Sequence, residues 1–121
     1  MPKKVLIVED YEDTRNFMKF LIESYGYQVI EASDGIEAVD RAKQSSPDLI
    51  LMDISLPMVD GLTATRVIRE SNPPTELPII AVTAFGKSYY DRAIAAGCND
   101  LIDKPLDFDM LKPVLSQYLS V

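Results

Sequence analysis

Several residues able to do chemistry stand where short apolar runs of this chain end. Glu9 and Asp10 follow Val5-Leu6-Ile7-Val8, Asp53 follows Leu49-Ile50-Leu51-Met52, and Thr83 closes Pro78-Ile79-Ile80-Ala81-Val82. Lys104 comes just after Asp100-Leu101-Ile102-Asp103. Two carboxylates about 5 Å apart repel by roughly 3 kcal/mol at an effective dielectric of about 20. Glu9, Asp10 and Asp53 would make three such pairs if folding gathered them. The Lys104 ammonium offsets part of that repulsion, and a divalent cation completes the offset. Carboxylate, carbonyl and water oxygens suit Mg²⁺. A carboxylate at such a centre can attack phosphorus and become an aspartyl phosphate. Mg²⁺ and Lys104 would screen the attacking anion, and the Thr83 hydroxyl could donate to the phosphoryl oxygens as charge redistributes. Asp53 is the best nucleophile candidate, since it ends a central strand between the other groups. Glu9 and Asp10 read as metal holders.

The elements that must position these groups follow from periodicity. Val5 to Val8, Leu49 to Met52 and Pro78 to Thr83 are unbroken aliphatic or β-branched runs, the mark of strands buried on both faces. Gln28 to Ala32 is more polar and belongs nearer an edge, and Asp100 to Ile102 is a short fifth strand. Between them lie helical stretches. Phe17, Leu21 and Tyr25, spaced four apart, give the first its apolar face, and Gly26 caps it. Asp34-Gly35-Ile36-Glu37 has capping-box form and opens a helix carrying Val39 and Ala42 that stops before Pro47. Asp60-Gly61 marks a turn before a helix from Leu62 to Glu70, and Asn72-Pro73-Pro74 is a loop. Tyr89 to Ala96 is a short helix closed by Gly97. Phe108, Leu111, Leu115 and Tyr118 face the core from the last helix, with Asp107 and Asp109 at its start, where negative charge is favourable. Alternating strands and helices imply an α/β fold with a parallel sheet, right-handed crossovers and helices on both faces. In such sheets the reactive site lies outside the carboxyl ends of the strands, where Glu9, Asp10, Asp53, Thr83 and Lys104 fall.

Composition removes several function classes. With no histidine among 121 residues, His-based acid–base catalysis, a Ser-His-Asp triad and His-metal ligation are excluded. The single cysteine, Cys98, forbids an internal disulfide and reads as a small buried residue. A formal charge of −7 disfavours nucleic acid and anionic membranes as direct partners. No secretory signal and no apolar stretch of membrane-spanning length occur, so the expected location is cytoplasmic.

Taken singly, Glu9-Asp10 is a solvated strand end and Asp53 a helix cap. Their occurrence at successive strand ends with Thr83 and Lys104 makes the functional reading the stronger one. The set Glu9-Asp10, Asp53, Leu56-Pro57-Met58-Val59-Asp60-Gly61, Thr83-Ala84 and Lys104-Pro105 resembles the receiver domain of two-component response regulators, over nearly the whole chain. The length resembles that of stand-alone receivers of the chemotaxis and cell-cycle type, and Ala81-Val82-Thr83-Ala84-Phe85 adds similarity to the cell-cycle kind. The resemblance implies one receiver domain over residues 1–121. It implies a flavodoxin-like doubly wound sheet of five parallel strands in the order 2-1-3-4-5 with five helices. Asp53 would accept a phosphoryl group from a phosphohistidine on a sensor histidine kinase or a histidine phosphotransfer protein. Asp10, Asp53 and the Ser55 backbone carbonyl would hold Mg²⁺, with Glu9 acting directly or through water. Lys104 would pair with the phosphoryl group, Thr83 would move to bond it, and Lys104-Pro105 would be cis. A downstream protein would be contacted through the fourth helix, fifth strand and fifth helix, roughly residues 87–119, with no direct binding of nucleic acid or membrane.

Three positions depart from or tune that pattern. The family usually carries Tyr or Phe three residues before the lysine; here Leu101 stands there, so switching must rest on Thr83 and backbone movement. Ser55 and Phe85 occupy the positions two after Asp53 and two after Thr83, and a small polar residue with a shielding ring implies slow to moderate self-dephosphorylation. Rival readings are weaker. A phosphorylation-independent pseudo-receiver is favoured only by Leu101. An aspartyl phosphohydrolase usually has its nucleophile after the first strand and a second Asp two residues on, which neither Glu9-Asp10-Tyr11-Glu12 nor Asp53-Ile54-Ser55 supplies. Flavin binding needs a neutral phosphate loop after the first strand, and this loop is acidic.

Overall fold

A computed structural model describes residues 2–56, 58–106 and 108–119, the last group without the Phe108 side chain. Pro57, Asp107 and that side chain, all named above, lie outside the described residues. The elements run β1 (Lys4–Val8), α1 (Glu12–Ser24), β2 (Gln28–Ala32), α2 (Gly35–Ser45), β3 (Leu49–Asp53), α3 (Gly61–Arg69), β4 (Ile79–Thr83), a 3₁₀ turn (Gly86–Tyr89), α4 (Tyr90–Ala96), β5 (Asp100–Asp103) and α5 (Phe108–Leu119). The strands form a five-stranded sheet in the order β2-β1-β3-β4-β5. Every pairing is parallel. The expected topology is the observed one.

The apolar runs fill two cores because successive strand residues point to opposite faces. Leu6, Val8, Ile50, Met52, Ile79 and Ala81 pack with α2, α3 and α4 through Ala38, Ala64, Ile68 and Ala93. Val5, Ile7, Leu49, Leu51, Ile80 and Val82 pack with α1 and α5 through Met18, Ile22, Leu111 and Leu115. All five residues of β3 and all five of β4 are buried, so these two strands are the rigid centre of the sheet. Edge strand β2 is largely half-buried, as its polarity implies.

Helix ends follow local chemistry. Asp34 caps α2 by accepting the Glu37 N–H at 2.7 Å, while Glu37 Oε1 reaches back to the Ser33 N–H at 3.0 Å. Gly26 and Gly97, at φ +95° and +114°, follow α1 and α4 as expected.

Four details differ from expectation. Phe17 is 49% exposed, and α1 instead buries Met18, Leu21 and Ile22, with Tyr25 half-buried just beyond its end. Residues four apart drift by about 40° per step around a helix of 3.6 residues per turn, so Phe17 rotates off the stripe that Leu21 defines. Asp60 does not make a free turn but caps α3, accepting the Thr63 N–H at 2.9 Å, and the helix starts at Gly61. A short carboxylate serves turns and caps equally, which hides the distinction in sequence. The fourth helix is preceded by the 3₁₀ turn, so α4 proper begins at Tyr90. β5 runs one residue further, placing Asp103 inside the ladder opposite Thr83.

Cys98 is buried beside Thr65, whose hydroxyl lies 3.9 Å from its sulfur. Burial pushes the thiol pKa up, against smaller lowering effects of the Thr65 contact and the Arg69 charge. Since the thiolate is the reactive form, Cys98 of the folded protein should react with an aromatic disulfide reagent at neutral pH at least about tenfold more slowly than in denaturant. Equal rates in the two conditions would contradict its burial.

Candidate metal and phosphoryl site

The carboxyl ends of β1 and β3 bring the predicted acids together. Glu9 and Asp53 are buried, at 1% and 4% exposure, whereas Asp10 is exposed. One carboxylate oxygen from each of Glu9, Asp10 and Asp53 lies within 4.8 Å of the others, a spacing that could hold a metal ion. Parallel pairing forces this convergence: Val8 pairs with Met52, so the next residues of both strands emerge side by side.

Lys104 enters from the far side of the sheet, just after β5. Its ammonium donates to Glu9 Oε1 at 2.7 Å and to Asp53 Oδ2 at 3.0 Å. Burial by itself lowers the Lys104 pKa, but hydrogen bonds to Glu9 and Asp53 and their charges raise it by more, so the net shift is upward. Lys104 is therefore charged at neutral pH and pairs with both buried carboxylates. The other oxygens are also held: Glu9 Oε2 accepts the Tyr11 N–H at 3.1 Å, and Asp53 Oδ1 accepts the Ser55 N–H at 3.0 Å. Buried carboxylates tolerate desolvation when paired and hydrogen-bonded in this way.

Thr83, 1% exposed, ends β4 with its hydroxyl accepting the Phe85 N–H at 2.9 Å. Its carbonyl accepts the Lys104 N–H at 2.7 Å. This backbone bond keeps the ends of β4 and β5 in register beside the cluster, and Lys104-Pro105 is cis. Ser55 is exposed two residues beyond Asp53, and Phe85 is 54% exposed with its ring 5.1 Å from that of Tyr89. Leu101 is half-buried against the core beneath α2, α3 and α4.

Two close approaches shape the loop after Asp53. The Gly61 N–H donates to the Ile54 carbonyl at 3.0 Å, and a Cβ on Gly61 would overlap the Asp53 carbonyl. A Cβ on Gly35 would likewise overlap the Val59 carbonyl. Both glycines let α2 and α3 press this loop against the strand end.

Sequence reasoning missed two arginines. Arg15 of α1 donates to the Glu9 carbonyl at 2.9 Å and pairs with Glu31 at 3.3 Å, tying the turn that carries Glu9 and Asp10 to both β2 and α1. Arg69 of α3 donates to the carbonyls of Gly97, Leu77 and Asn72 and to Asn99 Oδ1, at 2.6 to 3.0 Å. An open groove of about 510 Å³ borders Lys104 and is lined by Phe17, Met18, Pro105 and Leu106 among others.

Residues 5–116 match the family described as response regulator receiver domain. The chain is 42% identical over 120 residues to the polar-differentiation response regulator DivK of Brucella anthropi, covering 98% of each chain. It is 41% identical, with the same coverage, to DivK of Brucella melitensis. Among solved structures, it is similar to the receiver domain of a sensor histidine kinase from Pseudomonas aeruginosa PAO1, which has a magnesium ion coordinated in its active site cleft. That match has TM-score 0.88, 35% identity and 98% coverage of each chain. The chemotaxis protein CheY4 of Vibrio cholerae aligns with TM-score 0.90 and 26% identity, over 98% of this chain and all of that one.

The fit of α3 against the Asp53 carbonyl generates a direct test. Gly61→Ala should destabilise the fold by about 1–3 kcal/mol, because the added methyl meets backbone that cannot rotate away. Urea unfolding measures this; a change below about 0.5 kcal/mol, the usual range for unconstrained surface positions, would show that the loop yields freely.

Proposed function

The chain belongs to the response regulator receiver domain family, and from that premise we propose that it is a phosphorylation switch, with residues 1–121 acting as one receiver domain and Asp53 as the phosphoacceptor. The observation that carries the reading is the shared position of Glu9, Asp10 and Asp53 oxygens, within 4.8 Å, with the Lys104 ammonium bridging two of them.

The acids fit a hard divalent cation. Mg²⁺ would be held by Asp10, Asp53 and the Ser55 backbone carbonyl, with Glu9 directly or through water. Bound there, it would supply positive charge against the acids and the incoming phosphoryl oxygens. The Asp53 carboxylate attacks phosphorus of a phosphohistidine. An O–P bond forms, the N–P bond breaks, and its electron pair returns to the imidazole nitrogen. Lys104 is already 3.0 Å from Asp53 Oδ2 and so stands ready to pair with a phosphoryl oxygen. Thr83 turns its hydroxyl from the Phe85 N–H towards the same group and donates to it.

The donor is a sensor histidine kinase or a histidine phosphotransfer protein. The effector is a protein that contacts α4, β5 and α5, where Tyr90 and Ile94 are exposed. Among the described residues no helix is long and apolar enough to cross a membrane. The proposed location is the cytoplasm, and no nucleic acid is contacted directly. The complete set of Asp53, Thr83, Lys104 and flanking acids supports this reading over a phosphorylation-independent pseudo-receiver.

Incubation with radiolabelled acetyl phosphate should label the wild type only when Mg²⁺ is present, and Asp53→Asn should take up no label. Label retained in that variant would remove Asp53 from the role. Lifetime follows from the neighbours: Phe85, two residues beyond Thr83, carries a ring that would shield the phosphoryl group, and Ser55 offers only a small hydroxyl. Purified labelled protein should lose phosphate slowly to moderately, and Phe85→Ala should shorten the half-life. A wild-type half-life of only seconds would contradict the shielding role.

A further inference from the structure

Asp103 is the one described residue with a buried side-chain oxygen that lacks a hydrogen-bond partner: its Oδ1 is enclosed and unpaired. Buried acceptors are nearly always satisfied, so an exception calls for a cause. Asp103 lies opposite Thr83 in the β4–β5 ladder and on the same face as Leu101, beneath the segment leading into α4. Gly86 lies close by: a Cβ added to it would stand 3.9 Å from that oxygen. Gly86 opens the 3₁₀ turn, and the first amides of such a turn have no acceptor within it. An unpaired carboxylate oxygen thus stands near a turn whose opening amides need an acceptor from outside it.

The Phe85 N–H is occupied by Thr83 Oγ1 at 2.9 Å, and this bond fixes where the turn begins. The far end of the helix is fixed separately. Arg69 binds the Gly97 carbonyl at 2.7 Å and Asn99 Oδ1 at 2.7 Å, holding the α4 C-terminus to α3.

We propose that Asp103 is a positioning residue held in reserve: when Thr83 leaves the Phe85 N–H for the phosphoryl group, the Gly86–Ser88 turn settles with its amides on Asp103 Oδ1. This rests on the role given to Thr83 under the proposed function. A carboxylate accepting from backbone amides makes a charge-assisted bond, so the phosphorylated conformer gains a contact that the unphosphorylated one lacks. That difference biases two conformers of α4. It also supplies a coupling between phosphorylation and α4 where Leu101 offers no aromatic ring to do so.

The test combines amide hydrogen exchange, with and without beryllofluoride and Mg²⁺, with acetyl phosphate labelling of the same proteins. In the wild type the amides of residues 86–88 should gain protection by about tenfold on beryllofluoride addition, a local closing event of the kind exchange reports. Asp103→Leu should label at Asp53 as the wild type does, yet show no such gain. Asp103→Asn, whose Oδ1 can still accept, should retain part of it. Unchanged protection of β3 amides in both variants checks that they fold. An undiminished gain in Asp103→Leu, or no gain in a wild type that labels normally, overturns the role of Asp103. A wild type that does not label overturns the phosphoacceptor reading itself, which separates the two failures.

Discussion

Three acids crowd one end of this sheet, and the Lys104 ammonium is what pairs with the two that are buried. A carboxylate taken from water into a protein interior is strongly penalised unless it finds opposite charge and hydrogen bonds. Glu9 and Asp53 each receive the same Lys104 nitrogen and one backbone N–H. The arrangement is tense by design of composition: one cation faces three anions, which leaves a negative surplus that a divalent ion can neutralise. Much of the surrounding architecture holds that surplus in place. The parallel ladder sets β1 beside β3 and β4 beside β5, the Thr83 carbonyl fixes Lys104, and Arg15 fixes the turn bearing Glu9 and Asp10.

The same sheet separates rigidity from responsiveness. β3 and β4 are buried along their whole length, so Asp53 and Thr83 project from an immobile base. The segments beyond them are less constrained. Ser55, Met58 and Phe85 are exposed, and the chain after Thr83 passes through a 3₁₀ turn before it becomes α-helical. Any charge placed on such a strand end would act first on those outer segments.

Most of this was legible in the residues. Unbroken runs such as Leu49 to Met52 admit few interpretations, because strands covered on both faces need no alternation. The site was legible because a parallel sheet directs attention to what each strand ends in, and acids, a hydroxyl and a lysine are conspicuous there. What stayed hidden shares a physical cause. Arg15 and Arg69 act on backbone carbonyls, and every residue has one, so no sequence pattern announces the partner. The apolar face of α1 is hard to read because a spacing of four keeps only rough phase with the helix, leaving Phe17 outside. Asp60 looks like a turn residue in sequence because its capping bond and a turn bond use the same short side chain.

Arg69 differs from the lysine at the opposite end of the sheet in the kind of acceptor it uses. Its guanidinium is satisfied by three carbonyls and an amide oxygen, all neutral, and burial draws its pKa down, with a smaller opposing effect from Cys98. Dissolved electrolyte weakens attraction between net charges over a distance of several ångströms but acts far less on a short bond to an oriented dipole. At the acidic end it is the exposed Asp10 carboxylate that feels the surrounding salt, whereas the short Lys104 pairs with buried Glu9 and Asp53 are shielded from it. The end that anchors α4 keeps its hold across the same range.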